Sequence, residues 1–314
     1  MKIVQAPRAS AILYNLLVNR NDARPWLMPA NICPIVPITF MKARVPFEFV
    51  DISPETLHMD LDQAGALIGR RGYGGLLYAH TYGEESTPGE FFNFAKSIDP
   101  DLFIVDDRCL CMPGFEQSSV ADVMLYSTGY AKVVELNSGG YAMMDDQIDY
   151  QPVQLDFDLA SHEDLEKAYK SAVQNRTRFE YRDSAWLQTT SALPDWSSYK
   201  NQVEGETTSS LARRRALNEI YSSRLPEEIQ LSSQYQTWRF NVRVMDKTAI
   251  LKAIFENGLF ASSHYASLAG IMSEGRAPVA ETLADEVINL FNDDHFTMEM
   301  ADRVCDVILK SLQG

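Results

Sequence analysis

The 314-residue sequence predicts an α/β fold, with a mostly parallel sheet, helices on both of its faces and a smaller C-terminal α+β domain. Three observations predict it. Short apolar runs alternate with helical patterns through the first half of the chain. The run 102–105 is continuously apolar, as is typical of a strand buried on both faces. After residue 205, helical patterns dominate around a single strand-like run.

The first half contains three helical patterns and five strand-like runs. Apolar residues recur at helical spacing in each of the helical patterns. The predicted helices cover residues 9–17, 61–68 and 91–95, and the predicted strands cover 26–28, 47–50, 76–79, 102–105 and 123–126.

The second half begins after a polar, acidic stretch at 145–160. Ser161 and Asp164 resemble a capping box for the helix that follows, and residues 176–205 have no regular pattern. Further on, Asp246 is a helix cap and Gly258 a helix stop. The remaining predicted elements are helices at 207–223, 281–291 and 297–312 and a strand at 238–244. The predicted division is a large domain at 1–160, a connecting helix and loop at 161–205 and a small domain at 206–314.

The composition excludes several classes of function. A formal net charge of −15 argues against nucleic-acid binding, and the basic run 213–215 lies in a helical pattern that predicts a solvated face. The chain has no apolar stretch of about 18 residues and no apolar signal core, so we expect a cytoplasmic protein without a membrane segment. Four cysteines without a CxxC pair and five scattered histidines predict free thiols and no metal site.

Polar residues follow the predicted strands where a ligand would bind. In parallel sheets, ligands sit beyond the carboxyl ends of the strands, and His80, Asp106, Asp107 and Ser127 fall there. Asp106 and Asp107 compete for one role, because adjacent strand residues face opposite sides of the sheet. Lys132 stands between this edge and a Gly-Gly turn at 139–140. Alone, a lysine in that position also suits a solvated loop.

Together these segments resemble the DegT/DnrJ/EryC1/StrS family of pyridoxal-phosphate (PLP)-dependent sugar aminotransferases. The resemblance covers residues 8–144 and 206–312. Its segments are 29–31 through 49–52, 80–83 ("HxYG"), 104–109 ("VIEDAA"), 121–123 followed by Ser127, Lys132 and 139–140, and in the small domain 238–244, Gly258 and 264–265.

The resemblance implies the aspartate-aminotransferase-like fold, known as fold type I, and a set of residue roles. Lys132 would form the Schiff base with PLP and shuttle protons, and Asp107 would pair with the pyridine nitrogen. The other cofactor-binding residues would be Ser127, Arg8 and Ser10 around the phosphate, and Cys33 near the position of a stacking aromatic. His80, Tyr82 and His264 would face the substrate. A surface position for Arg8 and structural roles for the two histidines remain open.

The implied function is transfer of an amino group from an amino acid to a nucleotide-linked keto sugar in surface-polysaccharide precursor synthesis, by a homodimer. Two alternatives remain: another PLP reaction such as elimination, and a non-catalytic binding or assembly role. Three departures from the family favour the last: Leu110, the short N-terminus and the unrecognisable partner loop between 145 and 205. The retained Lys132 favours transamination.

Overall fold

The computed structural model describes residues 1–313, and its centre is a seven-stranded sheet. The strand order is β1-β7-β6-β5-β4-β2-β3. Five strands, β3, β2, β4, β5 and β6, run parallel to one another, while β7 is antiparallel to both β6 and β1. The sheet is therefore mixed and mostly parallel, as predicted. Its strands are β1 (Lys2–Ala6), β2 (Trp26–Pro29), β3 (Phe47–Val50), β4 (Gly75–Ala79), β5 (Phe103–Asp107), β6 (Val123–Ser127) and β7 (Gly140–Met144).

Helices cover both faces of this sheet. On one face, α1 (Ala9–Arg20) and α2 (Ile35–Ala43) pack on the side chains of Val105 and Leu125. On the other, α3 (Leu61–Gly69) and α4 (Gly89–Ile98) pack on Leu76 and Ile104. Each strand in the middle of the sheet is buried on both sides, which explains the continuous apolar runs.

A second core lies in the C-terminal part. There, the antiparallel pair β8 (Phe240–Arg243) and β9 (Val287–Leu290) packs with α7 (Lys247–Glu256) and α9 (Met298–Leu312). The buried side chains of α8 (Pro278–Glu286) belong to a separate cluster that includes Ile52 and Trp238. Asp246 caps α7 by accepting a hydrogen bond from the Ala249 N–H, as predicted. Among residues 1–313, no helix has both the length and the apolar character needed to cross a membrane.

Two helices join the parts: α5 (Leu159–Asn175) and α6 (Trp196–Arg224). The 29 residues of α6 extend over about 44 Å at 1.5 Å per residue. Tyr199 and Val203 in its first half pack on the large sheet, and Leu217 and Tyr221 in its second half enter the small core. The predicted boundary at 205/206 therefore falls inside a continuous helix.

Four expectations about elements were incomplete or wrong. The strands β1 and β7 and the helix α2 had no prediction, and α6 begins 11 residues before the predicted start at 207. The predicted helix at 281–291 ends at Glu286, and its remainder is the buried strand β9. The capping box was also misplaced, because Asp158 is the N-cap of α5 and accepts a hydrogen bond from the Ser161 N–H at 2.8 Å.

Candidate active site

Asp107 lies at the carboxyl edge of the large sheet. It ends β5, it is buried, and its Oδ1 accepts a hydrogen bond from the Cys109 N–H at 3.0 Å. Along β5, Asp107 lies on the same face as Val105, beneath α1 and α2. Asp106 lies on the opposite face. The alternation of the strand thus separates the two acids that compete in the sequence.

The charges of Lys132 and Asp107 both influence the pKa values of two thiols, those of Cys109 and Cys33. Burial raises the pKa of the Cys109 thiol; the Asp107 carboxylate raises it further, and the Lys132 ammonium lowers it. Burial also raises the pKa of Cys33, with Lys132 again lowering it and Asp107 raising it. Because such effects weaken with distance, all four side chains share one small region.

The shared region, called the crevice here, is partly open to solvent. It includes Cys33, Cys109 and Tyr265, which are only partly covered, and His264, which is exposed. Burial is nevertheless the largest influence on the pKa of each of these groups.

His264 stands on the small-domain side of this crevice. Burial first, and then the positive charges of Arg239 and Lys132, lower its pKa to about 4. The ring is therefore neutral at pH 7 and can both donate and accept a hydrogen bond.

The N-terminus of α1 meets the same edge of the sheet. No side chain caps this helix, and its first turn contains no acid. A Cβ on Gly140 would lie 2.5 Å from the Ala9 nitrogen, so only glycine permits this approach. Gly140 pairs with Ser127 in the sheet, which brings Ser127 beside the helix N-terminus. Free N–H groups at a helix N-terminus suit an anion such as a phosphate.

Arg8 and Ser10 flank this helix terminus, and both are half-buried. Arg8 is the N-cap residue, and its Nη1 lies 3.5 Å from the His162 Nε2 of α5. Burial lowers the pKa of the Arg8 guanidinium, and Glu166 opposes that shift. Arg8, Ser10 and Ser127 thus surround one candidate anion site.

The backbone around Lys132 is held from both domains. Ala131 has a φ of 57°; its N–H donates to Glu135 Oε2 at 2.8 Å, and its carbonyl accepts from the Trp238 indole at 2.7 Å. Arg214 donates to the Lys132 carbonyl at 3.0 Å and to the Trp238 carbonyl at 2.7 Å. These contacts fix the segment that carries the amine.

Arg214 contradicts the predicted solvated face at 213–215. It is only 3% exposed, and burial lowers its pKa to about 10. One signal could have identified it, because Arg214, Leu217 and Tyr221 recur at helical spacing on one stripe.

The structure does not bring His80 and Tyr82 to the crevice. The His80 Nε2 lies 2.6 Å from Asp106 Oδ1, and its Nδ1 lies 2.6 Å from the Glu84 carbonyl oxygen. Tyr82 is buried in an apolar cluster with Trp238. Their substrate roles therefore remain predictions without a supporting contact.

The architecture is that of known aminotransferases. A DegT DnrJ EryC1 StrS aminotransferase from Brucella abortus superposes with a TM-score of 0.67 at 14% identity, covering 99% of this chain and 86% of the other. Spr1654 from Streptococcus pneumoniae, in its PLP form, gives 0.70 at 14% identity, with 98% and 87% covered. DesI, solved in the presence of its TDP-sugar product, gives 0.70 at 17% identity, with 98% and 80% covered.

This is the fold of the PLP-dependent sugar aminotransferases. The predicted fold class is confirmed, including the mixed sheet and the helices on both of its faces. No family model matches the sequence, and no curated protein sequence matches it. At such low sequence identities, the solved structures establish the fold of this chain alone.

Proposed function

We propose that this chain is a PLP-dependent aminotransferase that transfers an amino group from an amino acid to a nucleotide-linked keto sugar. The observation that carries the proposal concerns Lys132 and Asp107 at the carboxyl edge of an aminotransferase fold. The charges of both residues influence the pKa values of the Cys33 and Cys109 thiols. The residues that would hold the cofactor come from distant parts of the sequence. Their convergence is what the chemistry requires.

The residues present fit PLP. An amine, a carboxylate and an uncapped helix N-terminus match the aldehyde, the ring nitrogen and the phosphate of this cofactor. The glycine at 140 leaves room for the close approach of α1. Two buried polar atoms without partners, Asn31 Oδ1 and Ser267 Oγ, lie in the segments that also carry Cys33 and Tyr265. Unpaired buried polar atoms are costly, which suits segments that meet a polar ligand.

Each residue would have a defined task. When bound, PLP supplies an aldehyde that condenses with amines and a ring that accepts electrons from the adjacent carbon. The Asp107 carboxylate would hold a proton on the ring nitrogen, while Arg8, Ser10, Ser127 and the first turn of α1 would bind the phosphate. Lys132 Nζ would hold the aldehyde end and carry a proton between carbon atoms in each half-reaction.

The substrate class follows from the open side of the crevice. His264 is exposed there and neutral at pH 7, which suits hydrogen bonds to sugar hydroxyls. The neighbour DesI was solved with its TDP-sugar product, and this supports a nucleotide-linked sugar as the acceptor. Glutamate is the proposed donor. We place the reaction in surface-polysaccharide precursor synthesis in the cytoplasm.

We also propose a homodimer with shared active sites. Tyr130, two residues before Lys132, is 68% exposed. A partner subunit covering this region would exclude water from the amine. A formal net charge of −15 argues against a nucleic acid as partner.

The experiment is a spectrum of the purified protein after incubation with PLP. We expect an absorbance band near the violet edge of the visible range that is absent in Lys132→Ala. Lys167→Ala is the matched control, because Lys167 is an exposed lysine on α5, and it should keep the band. Added glutamate should shift the band to that of the amine form of the cofactor.

Two results separate the alternatives. A band that depends on Lys132 but does not respond to glutamate, glutamine or aspartate would argue for another PLP reaction. A wild-type protein that remains colourless with excess PLP would refute the enzyme proposal and support a binding or assembly role.

A further inference from the structure

Three side chains with metal-ligating atoms converge on the face of the large sheet opposite Asp107. They are His58, His80 and Glu84, named here the His–Glu cluster, and they are 4%, 2% and 8% exposed. One ligand atom of each lies within 4.8 Å of the other two. Within residues 1–313 this is the single group of that kind. The sequence does not predict it, because His58 belongs to a different segment from His80 and Glu84.

His58 supplies an unsatisfied nitrogen in this cluster. Its Nε2 is buried and has no hydrogen-bond partner. The nearest carboxylate oxygen, Glu84 Oε2, is 3.6 Å away, which is too long for a hydrogen bond. An imidazole nitrogen without a hydrogen-bond partner is available to bind a metal ion.

The separation of these two atoms suits a small divalent cation. With Zn–N and Zn–O bonds of about 2.1 Å and tetrahedral angles, two ligand atoms lie roughly 3.4 Å apart. The 3.6 Å between His58 Nε2 and Glu84 Oε2 is close to that value. The Glu84 carboxylate is itself oriented by the backbone and hydroxyl of Ser86, at 3.0 and 2.7 Å.

His80 would be the third ligand, and it is already oriented. Its Nε2 contacts the fully buried Asp106 carboxylate at 2.6 Å. Metal-binding histidines usually donate their second nitrogen to such a carboxylate. The Nδ1 lies 2.6 Å from the Glu84 carbonyl oxygen, and binding the ion through Nδ1 would replace that hydrogen bond and release the Nδ1 proton to solvent. The nearby Arg108 guanidinium forms an ion pair with Asp106, with 2.9 Å between Arg108 Nε and Asp106 Oδ2.

We propose that His58, His80 and Glu84 bind a divalent cation of the zinc type, with Asp106 orienting His80. The site goes beyond the proposed aminotransferase function, because Asp106 and Asp107 lie on opposite faces of the sheet. Its role is structural. The ion would tie the segment before α3 to the end of β4 and to the loop after it, next to the strand that carries Asp107.

The test uses the full chain, stripped with a chelator and dialysed against Co²⁺ or Zn²⁺. We expect about one ion per chain by elemental analysis and the visible bands of four-coordinate Co²⁺. His58→Asn and Glu84→Gln should weaken Co²⁺ binding at least tenfold. The matched control is His295→Asn, because His295 pairs with Glu135 at 3.3 Å on the surface and should have no effect on Co²⁺ binding.

Failure of the wild-type chain to retain either ion would overturn the proposal. So would folded His58→Asn protein that binds Co²⁺ as tightly as wild type, and Glu84→Gln provides the same comparison if His58→Asn does not fold. The PLP absorbance band is recorded in parallel. A chain that forms the band but binds no ion would refute the metal site and leave the aminotransferase proposal standing.

Discussion

At the scale of single residues, the position of Lys132 depends on groups distant from it in sequence. Its carbonyl accepts a hydrogen bond from Arg214, and the carbonyl before it accepts one from Trp238. The guanidinium reaches carbonyl oxygens in both domains. The pair Arg213 and Arg214 illustrates that neighbouring residues of one type can have opposite roles on a helix.

We expect Arg214→Ala to lower the free energy of unfolding by about 3 kcal/mol, because several buried carbonyl groups would lose their donor. It should also weaken PLP binding, since the Lys132 backbone would lose its support. Urea denaturation measures the first effect. Arg213→Ala is the control: its exposed pair with Asp294 contributes no more than about 0.5 kcal/mol. Equal losses of unfolding free energy in the two variants would contradict the proposed role of Arg214 as a buried hydrogen-bond donor.

A second prediction at this scale concerns His264, whose pKa of about 4 reflects burial and the charges of Arg239 and Lys132. Removing the Lys132 charge favours the protonated ring, so Lys132→Ala should shift the His264 titration to higher pH. Proton NMR of the imidazole resonances measures the midpoint. Lys167→Ala should not move it. An unchanged midpoint in Lys132→Ala would place the amine away from the crevice wall.

At the scale of elements, the contact between α1 and β7 shapes the proposed phosphate site. We expect Gly140→Ala to destabilise the protein by about 1–3 kcal/mol, because the new Cβ would overlap the Ala9 nitrogen. PLP affinity should fall as the helix terminus moves away.

The control is Gly205→Ala in α6, where a Cβ meets nothing within 4 Å. In an exposed helix interior, alanine is favoured over glycine by about 0.5–1 kcal/mol. The two glycine variants should therefore change the melting temperature in opposite directions. Destabilisation of similar size in both would show that Gly140 is not needed for close packing.

The elements that escaped prediction have physical reasons in common. Helix α2 is apolar on nearly every side and includes Pro37, so it has no polar face to define a period. The first half of α6 buries only Tyr199 and Val203, and its helical form depends on the Asp195 cap and on packing against the sheet. Strands such as β5 were predictable because burial on both faces makes them continuously apolar.

At the scale of the whole molecule, the open crevice and the exposed Tyr130 lead to a prediction about assembly. Light scattering should give twice the 35.4 kDa of one chain. Tyr130→Glu should shift the mass toward that of a monomer, because a charge buried in an interface is costly. Phe94→Glu is the control, since Phe94 is an exposed aromatic on α4. A wild-type monomer at working concentration would contradict shared active sites.

The sequence by itself determined the α/β class, most central strands and the residues at their carboxyl ends, because burial and alternation leave a local pattern of apolar residues. Which of Asp106 and Asp107 lies on the face covered by α1 and α2 was decided only by the tertiary structure, which puts Asp107 there. The burial of Arg214 and the convergence of His58, His80 and Glu84 were likewise decided only by the fold. These relations join residues far apart in the chain, and contacts of that kind depend on how the elements pack.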